Sequence, residues 1–205
     1  MESDRDLLQR WRTGDRAAGN VLFKRHFESV YRFFRNKVDQ GVEDLVQRTF
    51  TACVEGRDRF REEASLRTYL FAIAHNLLLE HIRRRGRPGA AVDPDVASIV
   101  DLGASPTSIL AARAEENLLV QALRRVPMAS QVILELFYWE QFTGAELGVF
   151  LGVPEDTARS RLRRARQQLE AALTQLRAAP ALVSSTLENL DGWAAGLRVQ
   201  LAART

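Results

Sequence analysis

Residues 143–169, TGAELGVFLGVPEDTARSRLRRARQQL, constrain this chain more than any other stretch. Thr143 and Glu146 stand at capping-box spacing, which predicts a helix start. Leu147, Phe150 and Leu151 give that helix an apolar face. Gly152 supplies a turn, and Pro154 sits where a new helix begins, since proline is tolerated at a first helical position. Glu155 and Asp156 then fall in a first turn, where acids suit the helix dipole. The outline is a helix-turn-helix, a motif that places its second helix in the DNA major groove.

At about 100° per residue, Ala158, Leu162, Ala165, Leu169 and Leu176 cluster on one side of the second helix. Arg159, Arg163 and Arg166 gather on a neighbouring face, with Ser160 and Arg164 further round. A buried stripe beside a basic one suits DNA recognition, because arginine pairs bidentately with guanine edges and also binds phosphate. The same pattern also suits a solvated basic helix on an ordinary bundle.

A chain of 205 residues allows one or two domains, and 46% hydrophobic residues exclude a disordered one. The net charge is only +3, yet the pI is about 9.5 and the basic residues are clustered, which favours a polyanionic partner. A single cysteine, Cys53, rules out a disulfide framework and fits a reducing cytoplasm. MESDRDLLQRW lacks a signal-peptide profile, and no run of 18 apolar residues occurs. A cytoplasmic protein without a membrane partner is expected.

Nearly every segment has helical periodicity, so the fold class is all-α. Helices are predicted near residues 4–13, 16–38, 42–56, 65–85, 107–125, 129–139, 143–151 and 154–178. Between them GRPGAAVDPDVASIVDLGASP, with prolines at 88, 94 and 106, resists helix formation. The expected layout is a helical domain over 1–86, a linker over 87–112, a helix-turn-helix domain over 113–178 and a C-terminal helical extension over 179–205. Fully stretched, a linker of about 25 residues reaches roughly 80 Å.

In the first domain, Leu66, Leu70, Ile73 and Leu77 repeat at helical spacing and are expected in the core. Arg83, Arg84 and Arg85 either complement a helix C-terminus or meet nucleic acid. Phe60 and Tyr69 flank a polar loop beside basic residues. Aromatics interleaved with arginine can stack on unpaired bases, though singly they are more often core.

Taken in order, EDLVQRTF (43–50), FREEASLRTYLFAIAHNLLLEHIRRR (60–85) and the region from Leu118 to Leu173 resemble the extracytoplasmic-function group of bacterial RNA polymerase sigma factors. The resemblance spans roughly residues 5–175. It implies two small helical domains, sigma regions 2 and 4, joined by a flexible linker. It implies core RNA polymerase and promoter DNA as partners, and an anti-sigma protein such as holds many of this group. No cofactor is implied. Glu43, Asp44, Gln47 and the neighbouring Arg48 match the polymerase-docking face, while Leu45, Val46 and Phe50 set that helix in its own core. The loop from Phe60 to Leu66, with Arg61 and Ser65, matches the element that captures a flipped base of the −10 promoter element. Arg67, Tyr69 and Asn76 continue that surface, and Arg83, Arg84 and Arg85 would hold backbone phosphate. Thr157, Arg159, Ser160 and Arg163 match contacts to the −35 element, with Arg164 and Arg166 mainly on phosphates.

Three features depart from the family pattern. Arg48 stands where an acid is usual; it either weakens docking or points to water, and phosphate on Thr49 or Thr51 would restore negative charge. Tyr69 replaces the usual tryptophan. After Pro180, an apolar stripe carrying Leu187, Leu190 and Leu197, with Trp193 beside it, suits either a helix that only stabilises region 4 or a regulatory helix that acts as a built-in anti-sigma segment. His26, His75 and His81 form no ligand spacing with Cys53, and polar helical positions account for them. No catalytic set or metal motif is present, so no enzyme is expected. The competing readings are a conventional helix-turn-helix regulator, which has no need of residues 43–85, and a protein-interaction module, against which the arginine stripe counts.

Overall fold

The computed structural model describes residues 2–60, 64–85, 93–99 and 114–176, with 184–186, 188, 189 and 192 beyond them. The chain divides into two units, Met1–Arg85 and Gly86–Thr205. The first contains α1 (Asp4–Arg12), α2 (Arg16–Arg35), α3 (Val42–Gly56) and α4 (Leu66–Arg85). The second contains α5 (Ala114–Leu123), α6 (Met128–Tyr138), α7 (Gly144–Leu151) and α8 (Glu155–Gln175). Among the described residues there is no strand, only an isolated bridge between Ser98 and Pro127.

In the first unit, Ser3 and Asp6 form a reciprocal capping box that starts α1. Gly14, at φ +105°, turns the chain. Asp15 then caps α2 by accepting from the amides of Ala17 at 2.9 Å and Ala18 at 3.2 Å. The hairpin closes tightly because Gly19 lies under the Trp11 ring; a Cβ there would stand 2.6 Å from Trp11 Nε1. Leu7, Leu8, Trp11, Ala18, Leu22, Cys53, Leu66 and Leu70 form a buried cluster that joins all four helices. Ser65 starts α4 by accepting from the Thr68 amide at 3.1 Å.

Two expectations are corrected here. Helix α2 ends at Arg35 rather than 38. The Lys37 amide turns to Phe34 O at 2.8 Å, because the buried Lys37 ammonium itself takes Phe33 O at 2.9 Å. In α4, Ile73 is half-buried yet packs against the core cluster; Leu77 is half-buried and not part of it, and Phe71, Ala74 and Leu78 fill the core beside Leu66 and Leu70.

In the second unit the buried side of α8, Ala158, Leu162, Ala165, Leu169, Ala172 and Leu173, faces a core that includes Leu119, Met128, Leu134, Leu136, Phe142 and Leu147. Leu176 is half-buried. Helix α6 begins after Pro127 without a side-chain cap. Residues 93–99, inside the stretch read as linker, supply one instead: the Met128 and Ala129 amides donate to Ala97 O at 3.0 Å and Pro94 O at 2.9 Å. Ile99, 1% exposed, anchors this segment.

Candidate nucleic-acid and polymerase interfaces

The helix-turn-helix is built from its two capping devices. Thr143 Oγ1 accepts from the Glu146 amide at 3.2 Å, and Glu146 Oε2 accepts from the Thr143 amide at 2.9 Å. Gly152 ends α7 in the left-handed region at φ +64°, where glycine carries no Cβ penalty. Gly148 permits the sharp return: a Cβ on it would lie 3.0 Å from the Val153 carbonyl oxygen. Glu155 and Asp156 occupy the first turn of α8.

Thr157, Arg159, Ser160, Arg163 and Arg164 are all exposed on α8, so one surface carries three cations and two hydroxyls. Their partners differ. The Arg159 guanidinium donates to Glu155 Oε1 through Nε at 3.0 Å and Nη2 at 2.5 Å. Arg166 lies over two rings of α6, 5.2 Å from the Phe137 centroid and 5.3 Å from that of Tyr138; this cation–π seat holds it to its own fold. Sequence reading missed both partners. Glu155 stands four residues from Arg159, an available helical-pair signal, whereas no local pattern indicates the rings.

On α3, Glu43, Asp44 and Gln47 are exposed while Leu45 and Val46 are buried, which leaves an acidic, solvent-facing strip. Beside it Phe27 stacks on Tyr31 and on Phe50, and Phe27 and Val54 are themselves exposed. Arg48 does not simply point to water: its Nη2 lies 2.9 Å from Glu80 Oε2 on α4. Thr49 is fully buried and donates to Leu45 O at 2.8 Å, so a phosphate there is excluded in the folded state; Thr51 is exposed.

Phe60 and Tyr69 are brought together as a stacked pair, ring centroids 4.7 Å apart and 25° between planes. Arg12 of α1 fixes this corner, donating to Arg57 O at 3.0 Å and to Phe60 O while its guanidinium lies over the Phe60 ring. A cavity of about 230 Å³ opens alongside, lined by Asp4, Arg5 and Leu8 on α1 and by Phe60, Ala64, Ser65 and Leu66. Ser65 and Asn76 are exposed and Arg67 is half-buried. Arg83 and Arg84 lie about 25 Å along α4 from its start, at 1.5 Å per residue, and Arg84 Nη2 stands 2.5 Å from Glu80 Oε1. Arg61, the Arg85 side chain, Leu187, Leu190, Trp193 and Leu197 lie outside the described residues.

His26, His75 and Cys53 are set into the first unit. His26 is buried, and its Nε2 lies 2.7 Å from Asp4 Oδ2. Burial, with the nearby Lys37 charge, lowers His75 to about 4. Burial pushes the Cys53 thiol up to about 12, which makes it a poor nucleophile. Among the described residues no group of three His, Cys, Asp or Glu side chains could hold a metal. Nor is any helix there long and apolar enough to cross a membrane.

Residues 22–88 match the Sigma-70 region 2 family and residues 116–169 match Sigma-70, region 4. Together these cover more than half of the chain. The ECF RNA polymerase sigma factor SigM of Mycobacterium tuberculosis is 29% identical over 177 residues, 85% of this chain and 86% of that protein. The ECF RNA polymerase sigma-E factor of Escherichia coli K12 is 25% identical, covering 82% of this chain and 93% of its own length. Among solved structures, CnrH in complex with the cytosolic domain of CnrY superposes with a TM-score of 0.61 at 22% identity, over 86% of this chain and all of that one. The sigma factor RpoE of Bartonella quintana, in complex with the anti-sigma factor NepR, gives 0.56 at 22% identity, over 74% and 94%. At these identities the two structures speak for the fold.

Proposed function

The chain belongs to the sigma-70 family, in its extracytoplasmic-function group, and on that premise we propose which of its surfaces perform each step. It is an RNA polymerase sigma factor: it binds core RNA polymerase and brings it to promoter DNA. Sigma factors act by directing the polymerase, not by catalysing a reaction of their own. The work is therefore done in the cytoplasm, where the polymerase and its template are.

Glu43, Asp44 and Gln47 dock on a basic surface of the polymerase, with the apolar patch of Phe27, Phe50 and Val54 completing the contact. Phe60, Ser65 and Tyr69 at the start of α4 take an unstacked base of the −10 element. Flipping costs a few kcal/mol, which a closely fitting cavity offsets. Asn76 continues that surface, and Arg83 to Arg85 hold phosphate. Thr157, Arg159, Ser160 and Arg163 read the −35 element, and Arg164 holds its backbone. An anti-sigma protein covers these surfaces when the factor is silent.

The observation that carries the reading is the order of the two halves: an exposed acidic strip and an aromatic corner in the first unit, then a helix-turn-helix with an exposed arginine face in the second. A conventional repressor has no use for the first half. The test is start-site transcription by core RNA polymerase from DNA upstream of the factor's own gene. Transcripts that depend on the protein and vanish with Asp44→Arg are expected. DNA binding without polymerase, and no transcription with it, would instead make the chain a conventional regulator.

A further inference from the structure

Arg159 differs from Arg163 and Arg164, which share its exposed face of α8, in being already held by a carboxylate. Glu155, one turn earlier, accepts twice from it through a single oxygen, at 3.0 Å from Nε and 2.5 Å from Nη2. The acid precedes the base along the helix, the more favourable order for such a pair. The pair also lies against the first residue of α7: a Cβ on Gly144 would stand 2.9 Å from Glu155 Oε1 and 3.0 Å from Arg159 Nε. A bare glycine at the start of α7 thus leaves room for the ion pair to lie against that helix. By contrast, Arg163 and Arg164 make no ion pair among the described residues, and both are exposed.

The chemistry of the guanidinium decides what this arrangement does. Arginine has five N–H donors on a rigid plane. Glu155 occupies the side edge formed by Nε and Nη2, and leaves the end edge formed by Nη1 and Nη2 open. That end edge is the one that matches guanine O6 and N7 bidentately. A pair that is already neutral gains little by meeting a phosphate, because counterion release rewards unpaired charge.

We propose that Glu155, with Gly144, is a specificity-positioning element: it holds Arg159 for one guanine in the upstream promoter element, while Arg164 supplies attraction to phosphate. The inference rests on the reading of α8 as the −35 recognition helix. It adds two residues to the recognition surface, neither of which needs to touch DNA.

The test uses the full-length protein with core RNA polymerase and a transcribed promoter in which each upstream base pair is replaced in turn. The wild type is expected to show a G·C pair whose replacement lowers transcription about tenfold, within the range of one bidentate contact. Arg159→Ala, Glu155→Ala and Gly144→Ala should each reduce that penalty to twofold or less, while penalties at other positions persist. Persistence elsewhere separates this outcome from a misfolded domain, and Gly144→Ala changes no charge. Retention of the tenfold penalty in Glu155→Ala and Gly144→Ala overturns the positioning role. Its retention in Arg159→Ala overturns the assignment of the guanine. If no upstream replacement affects the wild type, the recognition-helix reading itself fails, and the proposal with it.

Discussion

Arg48 on α3 lies 2.9 Å from Glu80 on α4, and the other oxygen of the same carboxylate holds Arg84 at 2.5 Å. A single acid thus links a residue beside the strip proposed to dock on polymerase to one of the arginines proposed to hold DNA phosphate. Arg48 is held to its own domain, so its departure from the usual acid is compensated by a partner 32 residues along the chain.

Restoring the usual acid should therefore do harm. Arg48→Glu would place two carboxylates together, and the expected loss of stability is about 1 kcal/mol, at the upper end for a partly exposed pair. Urea unfolding at low and high salt checks this: the deficit should shrink as salt screens the repulsion.

The corner that presents Phe60 depends on the absence of a side chain at Gly56. A Cβ there would meet the Tyr69 hydroxyl at 2.1 Å, and Tyr69 in turn stacks on Phe60. Gly56→Ala should cost about 1–3 kcal/mol by overpacking and reduce promoter opening by displacing the stack. Adding Tyr69→Phe removes the clashing oxygen, so the double variant should regain most of both. Permanganate reactivity of unpaired thymines reads the opening directly, and thermal melting reads the stability.

The pH dependence of the first unit should follow His75. Its ring takes a proton near 6.5 when unfolded and only near 4 when folded, because burial disfavours the charged form and Lys37 lies nearby. Between those values the unfolded chain binds more protons. Its contribution is therefore present above about pH 6.5 and is lost as pH falls toward 4, by up to about 3 kcal/mol. His75→Leu should flatten that slope, as followed by urea unfolding across the same range.

What the sequence made legible depends on how local each signal is. Thr143, Glu146 and Gly152 act within one turn of themselves, and the caps they predict are present. Helix α4 was misread at Leu77 because LRTYLFAIAHNLLL is apolar nearly all round, so periodicity cannot choose which face turns inward. The ring seat of Arg166, the Arg12 anchor of Phe60 and the Arg48–Glu80 pair join residues far apart in the chain, and no spacing rule reaches them. Glu155 was within reach of such a rule, but was read only as a dipole partner.

The segment 93–99 was illegible for a different reason, since a proline-containing stretch without periodicity looks like linker whatever it touches. Its function in the fold is to finish α6, whose first amides have no side-chain acceptor and find Ala97 O and Pro94 O instead. Ile99 is the apolar anchor, buried to 1%. Truncating it should leave a cavity and release the cap together, so Ile99→Ala is expected to destabilise the second unit by about 2–5 kcal/mol. Val96→Ala in the same segment, where the side chain is 74% exposed, should change stability by no more than about 0.5 kcal/mol. Hydrogen exchange at the Met128 and Ala129 amides distinguishes the two: protection should fall in Ile99→Ala and persist in Val96→Ala. Equal protection in both would mean that the acceptors of the first turn of α6 are held by something other than this anchor.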